Sequence, residues 1–286
     1  EMLALPILAR GDLLVNFCNL GPLMHRNSVV MIHDAQTLTE PEAYPWRQVA
    51  GYRLMLRSIG RRARGILTVS EHSRRSLIAH GIAPPERIHV VPNGTDHILR
   101  TAPEPDFLPR LGLSGRPFAL ALGSTRTHKN TRLLFEAFRD PALAEVPLVI
   151  MGRHRREDYA ARGWIAPPQA VFAGRVGDGE MRALYQEASL FLFPSRTEGF
   201  GLPPVEAMHC GTAALVSDGG AIPEVSGPGA HVLPATDPAA WAAAVRHYLN
   251  DPAARAALAA RGRGRAEELT WARAGYTLWR TISDMI

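Results

Sequence analysis

Short apolar runs alternate with helix-length stretches along nearly the whole chain, which is the pattern of parallel βαβ units rather than of helices and strands kept apart. In the first part, Ser28 to His33 (SVVMIH), Gly65 to Ser70 (GILTVS) and Ile88 to Pro92 (IHVVP) read as strands, with helices over Gln48 to Ala63 and Glu71 to His80. The second part continues through Phe118 to Gly123 (FALALG), Pro147 to Gly152 (PLVIMG), Ala170 to Ala173, Ser189 to Phe193 and Ala213 to Ser217. Those five strands with their helices make a complete doubly wound sheet, whereas the three before them are thin for such a domain. Residues 99–117 (LRTAPEPDFLPRLGLSGRP) turn rich in proline, glycine and charge and read as a linker, which sets a domain boundary near 110. The expected fold class is α/β, with two Rossmann-like doubly wound domains: an incomplete first one over 1–110, a second over 111–270, and a final helix over 271–286.

A length of 286 residues suits two domains, each with its own core. No apolar run approaches the roughly 18 uncharged residues that span a bilayer, and no signal peptide is read, so a soluble, cytoplasmic protein is the expectation. The chain opens on Glu1 in foldable apolar sequence, and a missing amino-terminal portion is expected. Cys18 and Cys210 are far apart and outside any CxxC pattern, so both are expected to be unpaired thiols. The net charge is +5, but basic residues are interspersed with acidic ones and the densest cluster is Arg61, Arg62 and Arg64, which reads as a solvated helix face rather than a nucleic-acid footprint. In the tail, Trp271, Tyr276, Leu278 and Trp279 fall on one helical face and are expected to pack.

The segment Pro194 to Gly211 (PSRTEGFGLPPVEAMHCG) carries the strongest chemical signal. It follows a buried strand and leads through Pro203 and Pro204 into a helix, so its loop lies at a strand's carboxyl end, where open α/β sheets bind ligands. The free amides and positive dipole end of that helix favour an anion, and Gly199 and Gly201 let the backbone come close. Glu198 and Glu206 each offer a carboxylate that accepts paired hydrogen bonds from vicinal hydroxyls, as a sugar presents them. The plainer readings are a first-turn helix charge for Glu206 and a surface carboxylate for Glu198.

Lys129 is the single lysine among 32 basic residues. It lies in the loop GSTRTHKN, which opens on Gly123 and Ser124 after the strand FALALG, and with Arg126 and the following helix amides its ammonium suits a diphosphate. His33 and Asp34 end another strand; a histidine satisfied by backbone is the plain alternative. Asn93 and Gly94, and likewise Gly219 and Gly220, end strands too, as ligand contacts or as simple turns. RGRGRA at Arg261 to Ala266 resembles a dinucleotide loop by spelling only, since no strand precedes it. No serine elbow, Walker loop or metal-ligand cluster appears.

These blocks together, VVMIHD, ILTVSEHSRRSL, ERIHVVPNGTD, ALGSTRTHKN, FAGRVGDGEMRALYQEASLFLFPSRTEGFGLPPVEAM and IPEV, resemble the retaining glycosyltransferases of family 4, which have the GT-B architecture of two facing Rossmann-like domains. The similarity points to bacterial mannosyltransferase-like enzymes of surface polysaccharide synthesis. It implies a metal-independent hexosyltransferase needing no cofactor, whose GDP- or UDP-linked sugar donor binds the second domain while the first serves a glycan or lipid-linked acceptor. It assigns Glu206 to the ribose, Glu198 to the donor sugar, and the run Gly199, Phe200, Gly201 and Leu202 to sugar and phosphate. Lys129 matches the family's diphosphate lysine; Gly123, beside Ser124, stands where an arginine is usual, and Arg126 is the substitute. His33 matches a histidine reaching the donor sugar, and Arg175 lies where the nucleobase is met. Retention by front-face displacement is implied, with the leaving phosphate helping to deprotonate the acceptor. Peripheral contact with the inner face of the membrane, but none with nucleic acid, goes with this picture. The family carries a further βα unit with a glycine-rich loop before the point where this chain starts, and its final helix crosses back to the first domain. A nucleotide-sugar-binding protein without turnover and a nucleotide-sugar epimerase are the alternatives.

Overall fold

The apolar runs pair as two separate parallel sheets, one in each of two units of the chain. The computed structural model describes residues 4–23 and 25–286; Glu1, Met2 and Leu3, which open the expected first domain, lie outside the described residues, as does Met24. The first unit takes the described residues up to Asn93 together with Glu198–Phe200 and Ala272–Ile286, and the second takes Gly94–Thr197 and Gly201–Trp271.

In the first unit, strands β1 (Leu14–Asn16), β2 (Ser28–Met31), β3 (Gly65–Thr68) and β4 (Ile88–Val90) lie side by side in that order, all parallel. β2 and β3 are buried along their whole length, which is why they read as unbroken apolar runs. The helix Trp46–Arg62 crosses from β2 to β3 and buries Val49, Leu56 and Ile59, residues of one helical face. Leu56 and Ile59 meet Val30, Ile32, Ile66, Leu77 and Ile88 in the core. A Cβ on Gly60 would lie 1.8 Å from the carbonyl oxygen of Ile82, so glycine alone lets the helix sit this close. The helix Glu71–Ala79 follows β3, and the Ser70 hydroxyl caps it by accepting the Ser73 N–H at 3.0 Å. β1 is a fourth strand beyond the three expected; three half-buried residues are too few to display a period.

The second unit holds β5 (Ala119–Leu122), β6 (Leu148–Met151), β7 (Ala170–Gly174), β8 (Leu190–Phe193), β9 (Ala213–Ser217) and β10 (Ala230–Leu233). Their order is β10-β9-β8-β5-β6-β7, all parallel. The chain builds outward from β5 to β7, then returns to the other side of β5 to lay down β8, β9 and β10. That is the doubly wound Rossmann order, with its reversal between β5 and β8. β10 escapes sequence reading because it is a partly exposed edge strand after a Gly-Pro-Gly turn. Tyr159, Phe135, Phe138 and Trp241 anchor the core of this unit.

The proline-rich stretch 99–117 is packed structure of the second unit rather than a linker, and the division of the chain falls after Asn93 instead of near 110. Phe107, Leu108 and Leu113 are buried, Arg110 pairs with Glu180 at 3.1 Å, and the Arg182 guanidinium donates to the carbonyls of Ile98, Leu99 and Thr101. Proline and charge there satisfy a surface-hugging path along the helix Asp178–Glu187, which carries both Glu180 and Arg182.

RGRGRA lies inside the helix Pro252–Ala266, where a Cβ on Gly262 would come within 3.0 Å of Met208 Cγ, so that glycine serves helix packing. The last helix, Trp271–Ser283, corrects a second expectation: Trp271, Tyr276 and Trp279 are 42%, 61% and 64% exposed, and the helix buries the small Ala274 instead. Tyr276 and Trp279 pair with each other, ring centroids 6.0 Å apart. The chain end seats at β3, where Arg64 donates to the Ile286 carbonyl at 2.9 Å and the absent side chain of Gly65 makes room for Met285. Cys18 and Cys210 are free thiols, and no helix among the described residues is long and apolar enough to cross a membrane.

Burial holds the imidazoles of His89, His209 and His231 below the ordinary histidine value, with Arg74 adding to the effect at His89 and His247 at His231. The unfolded chain protonates these rings near pH 6.5 while the folded chain resists, so the unfolded state binds more protons below that point. Thermal unfolding followed from pH 7.5 to 5 is expected to show the midpoint falling once the pH drops below about 6.5. A midpoint that rises on acidification in this window refutes the neutral, buried assignment.

Candidate functional site

The reversal between β5 and β8 leaves a crevice at the carboxyl ends of those two adjacent strands, the place where such sheets bind ligands. Two loops leave there. After β5, Gly123 is pressed so closely that a Cβ would meet Ile150 Cγ2 at 2.2 Å and the Tyr159 hydroxyl at 2.5 Å. Any larger side chain at that position would have to displace Ile150 or Tyr159. The Thr131 hydroxyl then clamps Ser124, accepting its N–H and donating to its carbonyl, each at 3.0 Å. Arg126 is exposed at the head of the 3₁₀ turn Thr127–Lys129. The Lys129 ammonium lies 5.8 Å from the centre of the Phe193 ring, the last residue of β8. Asn130 takes a left-handed conformation (φ 56°), and its amide donates to the carbonyls of Pro194 at 3.0 Å and Ala235 at 2.8 Å. One side chain thus ties together the loops that follow β5, β8 and β10.

After β8, Gly201 is left-handed (φ 90°) and starts the helix Leu202–His209 without a side-chain cap. Pro203 and Pro204 fill two first-turn positions and carry no N–H, so this helix end presents fewer free amides than a typical one while its dipole persists. Gly219 is also a packing glycine, since a Cβ there would lie 2.3 Å from the Arg196 carbonyl oxygen.

Glu206 is not in the first turn but a turn further in, 6% exposed. The Tyr185 hydroxyl donates to its Oε2 at 3.1 Å, and His97 Nε2 lies 3.2 Å from its Oε1. Burial pushes this carboxyl above its ordinary value, against the pull of those two hydrogen bonds, and burial beside Glu206 holds the Tyr185 phenol well above its own. A carboxylate has about four lone-pair positions, so two protein donors leave room for two hydroxyls. Arg175 is exposed just beyond β7, at the sheet edge.

In the first unit, the carbonyl of Gly199 accepts from the Ser70 hydroxyl at 2.7 Å and the Ser73 hydroxyl at 3.1 Å. A Cβ on Gly199 would meet Asp34 Cβ at 2.7 Å, so glycine is required beside the end of β2. Phe200 is buried, and Leu202, in the second unit, is half-buried. His33 Nε2 lies 2.9 Å from the Phe17 carbonyl oxygen, and its backbone N–H donates to Asn19 at 2.8 Å. Among the described residues no group of three or more histidine, cysteine or carboxylate side chains gathers in a way that could hold a metal ion.

Sequence reading missed Tyr185, His97, Ser70 and Ser73 as site residues. All four lie inside blocks quoted for the family resemblance or directly after one, and Tyr185 and His97 are polar residues on elements that pack against the helix bearing Glu206.

Residues 106–265 match the family of glycosyl transferases group 1, and residues 13–98 match glycosyltransferase family 4. The chain is 31% identical over 266 residues to O-antigen chain mannosyltransferase B of Escherichia coli, covering 87% of this chain and 68% of that protein. It is 34% identical over 180 residues to a lipopolysaccharide core biosynthesis mannosyltransferase of Rhizobium leguminosarum bv. viciae, covering 57% of this chain and 50% of the relative. In fold it is similar to a sucrose-phosphate synthase from Thermosynechococcus elongatus (TM-score 0.75, 22% identity, 91% of this chain and 68% of the other). It is likewise similar to the Anabaena protein Alr3699/HepE solved with UDP-glucose (TM-score 0.74, 20% identity, 90% and 72%). Two Rossmann-like parallel sheets, the doubly wound order of the second, and matches that together run from residue 13 to residue 265 place the chain in the GT-B fold class, and it belongs to the group 1, family 4 glycosyltransferases.

Proposed function

We propose that the protein transfers a hexose, mannose above others, from a nucleoside-diphosphate sugar to a glycan or lipid-linked acceptor in surface polysaccharide synthesis, with retention at the anomeric carbon. The observation that carries this reading is that the Lys129 loop and the loop leading to the Glu206 helix leave the adjacent carboxyl ends of β5 and β8, where Lys129 lies over Phe193 and the Arg196 N–H donates to the His128 carbonyl at 2.7 Å. Mannose is supported by the names of relatives that are mannosyltransferases. In this reading Lys129 and Arg126 neutralise the diphosphate, Glu206 takes the ribose diol, and Glu198 with the amides of Gly199 to Leu202 addresses sugar and phosphate. His33 is assigned to the donor sugar and Arg175 to the base. As the bond between the anomeric carbon and the phosphate oxygen breaks and the acceptor oxygen forms the new glycosidic bond, the leaving phosphate, held by preorganised cations, takes the acceptor proton and departs as the nucleoside diphosphate. Work at the cytoplasmic face of a membrane goes with a lipid-linked acceptor.

A thermal-shift screen with UDP, GDP, ADP and their sugars identifies the donor, since ligands raise the midpoint by binding the folded state. Nucleoside-diphosphate release with and without acceptor then separates transfer from binding alone; binding without release in the presence of acceptor defeats the enzyme reading. Lys129→Ala is expected to weaken nucleoside-diphosphate affinity about tenfold, the loss of one charge-assisted phosphate contact. Unchanged affinity by calorimetry removes Lys129 from the diphosphate.

A further inference from the structure

We infer that His97, locked in one tautomer by Trp271, is the positioning residue that aims Glu206 at the ribose of the donor; this rests on the proposed nucleotide-sugar reading of the site. The Trp271 indole Nε1 lies 3.2 Å from His97 Nδ1, and an indole nitrogen is a donor only. Nδ1 must therefore present its lone pair, which puts the ring proton of neutral His97 on Nε2. That proton points at Glu206 Oε1, 3.2 Å away, and donates to it. Trp271 thus fixes which end of the ring is a donor, and a second proton on Nδ1 would set N–H against N–H.

Trp271 is itself held in place. Its backbone N–H donates to the Asp96 carboxylate at 2.6 Å, and the N–H and hydroxyl of Thr95 both donate to the Leu269 carbonyl, at 2.9 and 3.1 Å. The segment after β4 and the segment before the last helix are stitched by four hydrogen bonds, the three just described and that of the indole. With Tyr185 on Oε2 and His97 on Oε1, the Glu206 carboxylate cannot rotate without losing one donor, and its remaining lone pairs keep a fixed direction. A bidentate acceptor of fixed orientation is what two adjacent hydroxyls require.

The test uses the full chain, with the nucleoside diphosphate that shifts its thermal midpoint most. His97→Phe keeps a ring of similar size without a donor, and His97→Gln keeps a donor without the ring. Affinity is expected to fall about tenfold in His97→Phe and to stay within about threefold in His97→Gln, the loss of one hydrogen bond to a charged group. Competition by inorganic pyrophosphate, which has no ribose, is expected to be equal in all three proteins. Ring-nitrogen NMR, with His97 assigned by its substitution, is expected to show a protonated Nε2 and a bare Nδ1, and a mixture of tautomers in Trp271→Phe. The inference is overturned if His97→Phe binds as the unsubstituted chain does, if glutamine is as poor as phenylalanine, or if pyrophosphate is lost in parallel. Should Glu206→Gln abolish binding while His97→Phe does not, the inference alone falls; should the unsubstituted chain bind no nucleoside diphosphate, the proposed function falls with it.

Discussion

Glu206→Gln is expected to lower nucleoside-diphosphate affinity roughly a hundredfold, because two hydroxyl donors lose a charged acceptor and each such bond contributes about 1.5–3 kcal/mol. The same substitution is expected to leave the fold as stable as before or more so. Burial raises the Glu206 carboxyl above its ordinary 4.5, so between that value and the folded one the unfolded chain has released its proton while the folded chain has not. Stability attributable to this group therefore falls as the pH rises through the window, and at pH 7.5 the native state carries a buried carboxylate at a cost. An amide of the same shape still reaches Tyr185 and His97 without that charge. Calorimetric titration and thermal unfolding, both at pH 7.5, check the two halves separately. Undiminished affinity takes Glu206 off the ribose, and a midpoint lower by more than about 5 °C shows that the charge stabilises this site after all.

Gly94→Ala is expected to destabilise the second unit by about 3 kcal/mol, the upper range for forcing a methyl group into packed structure. The added carbon would lie 2.1 Å from Trp271 N, 2.4 Å from its Cα and 2.5 Å from the carbonyl carbon of Thr270, all backbone atoms that no rotamer change can move. Relief requires parting the two segments, and with them go the Thr95 pair to Leu269 and the Asp96 cap on Trp271. Urea unfolding measures the loss; a change below about 1 kcal/mol means that the segments slide apart freely and that the contact is not a constraint.

Gly94 also illustrates what the sequence conveys and what it withholds. The dipeptide Asn93-Gly94 is a turn signal on its face, and no local rule distinguishes a turn from a glycine demanded by a chain segment more than 170 residues away. The strands β5, β6, β8 and β9 were legible to within a residue or two because each is a fully or almost fully buried apolar run. β1 and β10 were not, being short or half-exposed. The stretch 99–117 misled because proline and charge mark a surface path as readily as a free linker, and three buried apolar residues decide between them. At the site, Glu206 and Lys129 stood out through loop position and rarity, while Tyr185 and His97 did not, since what matters in them is a tertiary contact with one carboxylate. The exposed aromatics of the last helix mark the same limit: periodicity places them on one face without saying whether anything covers it.

Lys129 is the sole ε-amine of the chain, half-buried over the Phe193 ring at the mouth of the switch-point loop. An amine-directed acylating reagent therefore has one side-chain target, and that target lies where the diphosphate is proposed to sit. Acylation of the Lys129 peptide, told from that of the terminal amine by proteolysis and mass spectrometry, becomes a footprint of occupancy, slowed by any nucleotide that shields the ammonium.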